Sequence, residues 1–144
     1  MKNIFLFLAI ITLFSCDTIK KTSNSTGTVF SLNGEWELTA NSENSLIGSS
    51  VLVYPFVQDA KFKKLMNNTQ CFRETDVKWK NIATDNNGGF TINNLQSSCT
   101  GGSAQYLPAA VIVVNANEIK INGRNGAGDN GSQTWKRIST VITQ

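Results

Sequence analysis

The side chains able to do chemistry are few, and the absences narrow the choice first. The 144-residue chain contains no histidine, which removes the commonest general base and the commonest metal ligand together. Carboxylates are left for acid–base work: Glu35, Glu37, Glu43, Asp59, Glu74, Asp76, Asp85, Glu118 and Asp129. A glycoside hydrolase needs two of these, one protonated and one ionised. Glu35 and Glu37 stand at i, i+2 on a strand pattern, roughly 7 Å apart, but on the face opposite Trp36, where a solvated outer surface is expected. Glu74 and Asp76 lie among Thr, Arg and Lys and read as surface ion pairs. The glycines of residues 123–131 do not sit between a strand and a helix, as a phosphate-binding loop requires. Neither a catalytic residue nor a metal or cofactor is expected.

Three cysteines carry the remaining reactivity. Cys16 closes the apolar run of residues 4–14, which follows Met1-Lys2-Asn3. Eleven residues are too few to cross a bilayer, which takes about 20 in a helix. A charged start and a short apolar block form the pattern of a secretory signal. Beyond the inner membrane thiols meet oxidising conditions, so Cys71 and Cys99 are expected to form a disulfide. Closing a loop of that length stabilises a fold by about 3–4 kcal/mol. Two buried free thiols are the alternative; two sulfurs without His make only half a zinc site.

The elements that must position these groups read as β-strands. Residues 17–28 are polar without apolar periodicity, the composition of a flexible linker. In Gly34-Glu35-Trp36-Glu37-Leu38-Thr39-Ala40, Trp36, Leu38 and Ala40 alternate with polar neighbours, a half-buried strand. Residues 51–57 form a β-branched and aromatic run in which Pro55 marks an edge or bulge. Residues 59–67 are the one helical candidate, with Asp59 as cap and Phe62, Leu65 and Met66 at i, i+3 and i+4. Alternation resumes at Val77-Lys78-Trp79-Lys80. Asp85-Asn86-Asn87-Gly88-Gly89 then predicts a turn before the return arm at Phe90. Val111-Ile112-Val113-Val114, Glu118-Ile119-Lys120-Ile121-Asn122 and residues 134–141 add three more strands, the last two separated by a Gly/Asn-rich loop over 123–132. Seven or eight strands joined in sequence order by short turns predict an all-β fold, a small antiparallel meander barrel with one short helix. The aromatics Tyr54, Phe56, Trp79, Phe90, Tyr106 and Trp135 could line a pocket or simply form the core.

Charge argues against one class of partner. The formal net charge is only +3, and the Lys61, Lys63, Lys64 cluster reads as a solvated face. Nucleic-acid binding is therefore not expected.

Leu13-Phe14-Ser15-Cys16 resembles the lipobox of bacterial lipoprotein signals. The resemblance implies cleavage after Ser15 and acylation of Cys16, palmitate among the chains, so that removal of 15 residues from 144 leaves a mature chain of 129. Two or more acyl chains give stable anchoring where one does not. The expected division is thus a signal peptide over 1–15, an anchor and linker over 16–29, and a β domain over 30–144. That domain is itself similar to lipocalins and to lipocalin-like lipoproteins of Bacteroidota. The likeness rests on the Gly34-x-Trp36 opening strand, on Cys71-Phe72, Trp79, Asn86-Asn87-Gly88-Gly89-Phe90 and Cys99, and on Trp135-Lys136-Arg137-Ile138. It implies a non-catalytic lipoprotein in the cell envelope, expected at the outer membrane, that binds a small hydrophobic molecule or an envelope component. Small META-type lipoproteins open with a similar strand and imply a filled barrel that contacts an envelope protein or glycan. The lipocalin pattern also implies that Arg137 lies across Trp36 and closes the barrel floor; a solvated Arg137 is the alternative. No ligand-binding residue is legible.

Overall fold

The structure, a computed structural model, describes residues 21–23, 29–97, 104–125 and 127–140. Cys16 and Cys99 both lie outside the described residues. β1 (Lys21–Ser23) and β2 (Val29–Ser31) form a two-stranded antiparallel sheet. Eight more strands follow: β3 (Gly34–Asn41), β4 (Ser50–Val53), β5 (Ala60–Lys64), β6 (Val77–Thr84), β7 (Phe90–Ser97), β8 (Gln105–Asn115), β9 (Glu118–Arg124) and β10 (Asn130–Ser139). Each pairs antiparallel with its sequence neighbour, and β10 pairs with β3 to close a barrel. Closure leaves the barrel itself without an open sheet edge.

The alternation that marks the strands also fills the interior. Trp36 and Leu38 of β3, Val51 and Val53 of β4, Trp79 and Ile82 of β6 and Ile119 and Ile121 of β9 are all buried. Trp79 and Trp135 meet edge to face with ring centroids 5.1 Å apart, a favoured geometry for two quadrupoles. Eight strands leave just enough width for side chains to fill the barrel, and these rings fill it.

Several sequence expectations are corrected. Residues 59–67 are not a helix: Ala60–Lys64 is a strand in which Ala60 and Phe62 are buried and Lys61, Lys63 and Lys64 exposed. The apolar set Phe62, Leu65, Met66 fits two helical turns, but the segment pairs with β4 along its length and with β6 at Ala60 and Lys61, which imposes a period of two. Tertiary pairing decides where so short a helix is marginal on its own. Ala40 leaves the face of Trp36 and Leu38. Thr134 pairs with Ala40 and Trp135 with Leu38, so Thr39 is a bulge residue, and the phase inverts to expose Ala40 and bury Asn41. The run at 51–57 ends as a strand at Val53. The loop expected over 123–132 shrinks, since β9 extends to Arg124 and β10 begins at Asn130. Gly123 allows this: a Cβ there would sit 2.8 Å from that of Ala109. Within the expected linker, Lys21–Ser23 folds back onto Val29–Ser31.

Candidate functional site

The barrel has two unlike ends. One is formed by the start of β3, the end of β10 and the β4–β5, β6–β7 and β8–β9 connections, and the chain enters there from β2. Arg137 occupies it. Its Cζ lies 4.2 Å from the Trp36 ring centroid and 5.3 Å from that of Phe30. Its Nη2 donates to the Ser31 carbonyl at 2.6 Å and its Nε to the Ala116 carbonyl at 3.1 Å. Nη1 donates to the Asn33 carbonyl. The guanidinium fork thus ties the entering segment, the β8–β9 turn and β10 together over an aromatic floor, a task its planar donors suit. Burial lowers its pKa. Trp36 Nε1 donates to the Leu32 carbonyl at 2.8 Å, so the indole is also satisfied.

The Gly34-x-Trp36 spacing now has a physical reason. Gly34 has φ +132, and a Cβ on it would run into the Ser139 carbonyl and lie 3.1 Å from Arg137 Nη1. Only a glycine lets β10 and the guanidinium come this close. The structure therefore brings Trp36 and Arg137 together.

The other end is plugged by loops. Leu46, from the connection of β3 to β4, is fully buried despite φ 62, and its N–H donates to the Asn67 carbonyl at 3.1 Å. Ser49 Oγ donates to the Met66 carbonyl at 3.0 Å and accepts from the Met66 N–H at 2.8 Å, joining this loop to the β5–β6 connection. Phe72 from that connection packs on Phe62 with centroids 5.3 Å apart. Beside them lies Lys78, 1 % exposed. Its Nζ donates to the Leu95 carbonyl and stands 5.1 Å from the Phe72 ring centroid. Desolvation lowers its pKa to about 7, with the Glu43 carboxylate acting in the opposite sense.

Lys78 was not legible in the sequence, where simple alternation places it outside. Ala60 pairs with Trp79 and Lys61 with Val77, so Lys78 has no partner on β5 and sits at a bulge beside Trp79, both buried. Nothing in the local pattern marks the bulge. Leu46 and Phe72 were missed for a related reason: they lie in connections and plug the barrel through non-local contacts.

Near Lys78 a recess of about 20 Å³ is lined by Asn41, Glu43, Asn94, Gln96, Arg124 and Gln133. That volume suits about one water molecule. Asn94 Oδ1 and Trp79 Nε1, on residues paired across β6 and β7, are buried with no hydrogen-bond partner among the described residues. Wider depressions lined by Pro108, Asn122 and Gly123 lie on the outer wall and open to solvent.

The carboxylates are spread rather than gathered. Glu35 accepts from Ser50 Oγ at 2.8 Å and from Lys63 Nζ at 2.7 Å on the barrel wall. Asp76 accepts from the Arg73 N–H at 2.8 Å, and Asp85 from the N–H groups of Asn87 and Gly89, each at 2.8 Å. These are turn-holding roles. Among the described residues, no three of His, Cys, Asp and Glu converge as metal ligands would. No protein-family model, no curated protein and no solved structure matches this chain.

Proposed function

We propose that this chain is a membrane-anchored, non-catalytic lipoprotein of the bacterial cell envelope, held by acyl chains on Cys16. In this reading its lipocalin-like barrel acts as a structural and interaction module rather than as a carrier. The observation behind it is the filled interior. Trp36, Trp79 and Trp135 are fully buried within the barrel, and the recesses at its loop-covered end measure about 20 Å³ and, between Cys71, Leu95 and Tyr106, about 220 Å³. Pockets that enclose small molecules run to roughly 300–1,000 Å³. The partner is then an envelope protein or glycan that meets the outside of the domain, and the outer membrane is the proposed location.

The lipocalin-like assignment is supported by the packing of Arg137 on Trp36 and by the close approach at Gly34. The Cys71–Cys99 bridge is part of the same proposal, supported by the disulfide-bonded state of Cys71. The non-catalytic reading is supported by the lack of histidine and by the structural use of Glu35, Asp76 and Asp85.

Native mass spectrometry of the mature chain, extracted from the membranes of its own host, tests this reading. The expected mass is the polypeptide from Cys16 plus its acyl groups, less two hydrogens for the bridge. A small molecule retained in repeated preparations overturns the filled-barrel reading. A mass without acyl groups overturns the tether.

A further inference from the structure

The reach of the anchor is short, and this keeps one end of the barrel near the bilayer. Lys21 pairs with Ser31, and the Ser31 carbonyl accepts from Arg137 at the closed end. Between Cys16 and Lys21 the chain advances five residues, which span at most about 18 Å when fully extended. An acylated Cys16 therefore keeps the Arg137 end within about that distance of the lipid headgroups. An eight-residue strand tilted by about 40° places the loop-plugged end roughly 20 Å farther away.

The β4–β5 connection projects from the same end, because Val53 pairs with Gly34. It reads Tyr54-Pro55-Phe56-Val57. Phe56 is 82 % exposed, the largest exposure among the exposed large hydrophobic residues described, and Val57 is 41 % exposed. Phe56 also has φ 64, a left-handed conformation that bulky residues avoid. The turn, in which the Val57 N–H donates to the Tyr54 carbonyl at 3.4 Å, therefore holds an aromatic ring in solvent at a conformational cost. Neutral aromatic and aliphatic side chains of this kind settle at the boundary between headgroups and acyl chains.

We propose that residues 54–57 form a second membrane contact, in which Phe56 enters the lipid interface while the acyl chains of Cys16 supply the anchor. The contact fixes the orientation of the barrel, with its Arg137 end toward the bilayer and its loop-plugged end toward the aqueous compartment. This inference rests on the tethered reading above.

The test uses the acylated mature chain in vesicles of phosphatidylethanolamine and phosphatidylglycerol, part of the lipid brominated on its acyl chains. All three native tryptophans are fully buried, so an added surface tryptophan stands out against the parent's emission. Phe56→Trp is compared with Met66→Trp, a 43 % exposed apolar position at the opposite end. The expected result is severalfold stronger bromine quenching for Phe56→Trp than for Met66→Trp, with a blue shift on vesicle binding. Equal quenching of the two in chains that float with the vesicles overturns the contact and leaves the tether standing. A blue shift without bromine quenching also overturns it, because the tip is then covered by protein, a second copy included. Failure to float overturns the tether and this contact together.

Discussion

Each end of the barrel packs a cation against aromatic rings inside the fold, yet Arg137 and Lys78 are treated differently. Arg137 donates to the carbonyls of Ser31, Asn33 and Ala116 over Trp36 and Phe30. Lys78 is more deeply buried and, among the described residues, donates to the Leu95 carbonyl alone, beside Phe62 and Phe72. Burial lowers the pKa of both, but only Lys78 is brought near neutrality, to about 7. Ring faces alone do not replace the water a charge gives up; several backbone acceptors come closer to doing so. One end is therefore a fixed plug, and the other carries a charge whose presence depends on pH.

The comparison can be broken first at the aromatic floor. Trp36→Ala removes the surface under the guanidinium and leaves a cavity, and should lower unfolding stability by about 3–5 kcal/mol in denaturant titrations. Arg137→Ala follows at about 2–4 kcal/mol, since three carbonyls lose their donor. Arg137→Lys should recover little of this, because a single ammonium cannot reproduce the fork. Full rescue by Lys would show that charge alone holds this end.

The loop-plugged end is sharpened by pH. The ordinary Lys value, 10.5, applies to the unfolded chain, and the folded value is about 7. Between these values the unfolded chain binds more protons, so stability rises with pH there. Below pH 7 both states are protonated and the burial penalty is felt in full. From pH 7 to pH 9 the wild-type chain should gain about 2–3 kcal/mol from this group. Lys78→Met should lose that rise and exceed the wild type at pH 6. Parallel urea curves for the two proteins at pH 6 and 9 would contradict it. The smallest effect belongs to the barrel wall. Lys63 is half exposed beside Glu35, and Lys63→Ala should cost about 0.2–1 kcal/mol, shrinking in salt.

Legibility in the sequence follows the same division. The Arg137 end is built from regular strands, and Trp36, Leu38 and Trp135 alternate as a barrel wall requires. Pattern alone leaves the strand register open; the Arg137–Trp36 contact is an expectation from the resemblance of these strands, not from their alternation. The Lys78 end depends on a bulge at β6 and on Leu46 and Phe72 folded in from connections. A bulge shifts every later side chain by one face without leaving a compositional mark. The stretch over 59–67 failed differently: Phe62, Leu65 and Met66 satisfy a helical spacing while Ala60 and Phe62 satisfy an alternating one. Pairing on both sides settled it in favour of the strand. The outward Phe56 follows from a strand that ends at Val53; Pro55 marks an irregularity in the apolar run but not which side chain turns outward.

The proposed function rests on an interior that side chains fill, with all three tryptophans fully buried. Titration of the mature chain with a hydrophobic fluorescent probe, such as N-phenylnaphthylamine, tests this most directly. Trp79→Ala serves as the positive control, because removal of the ring opens an apolar space beside Trp135. The prediction is saturable one-to-one binding by Trp79→Ala and none by the wild-type chain. Saturable one-to-one binding by the wild type, lost on denaturation, would contradict it.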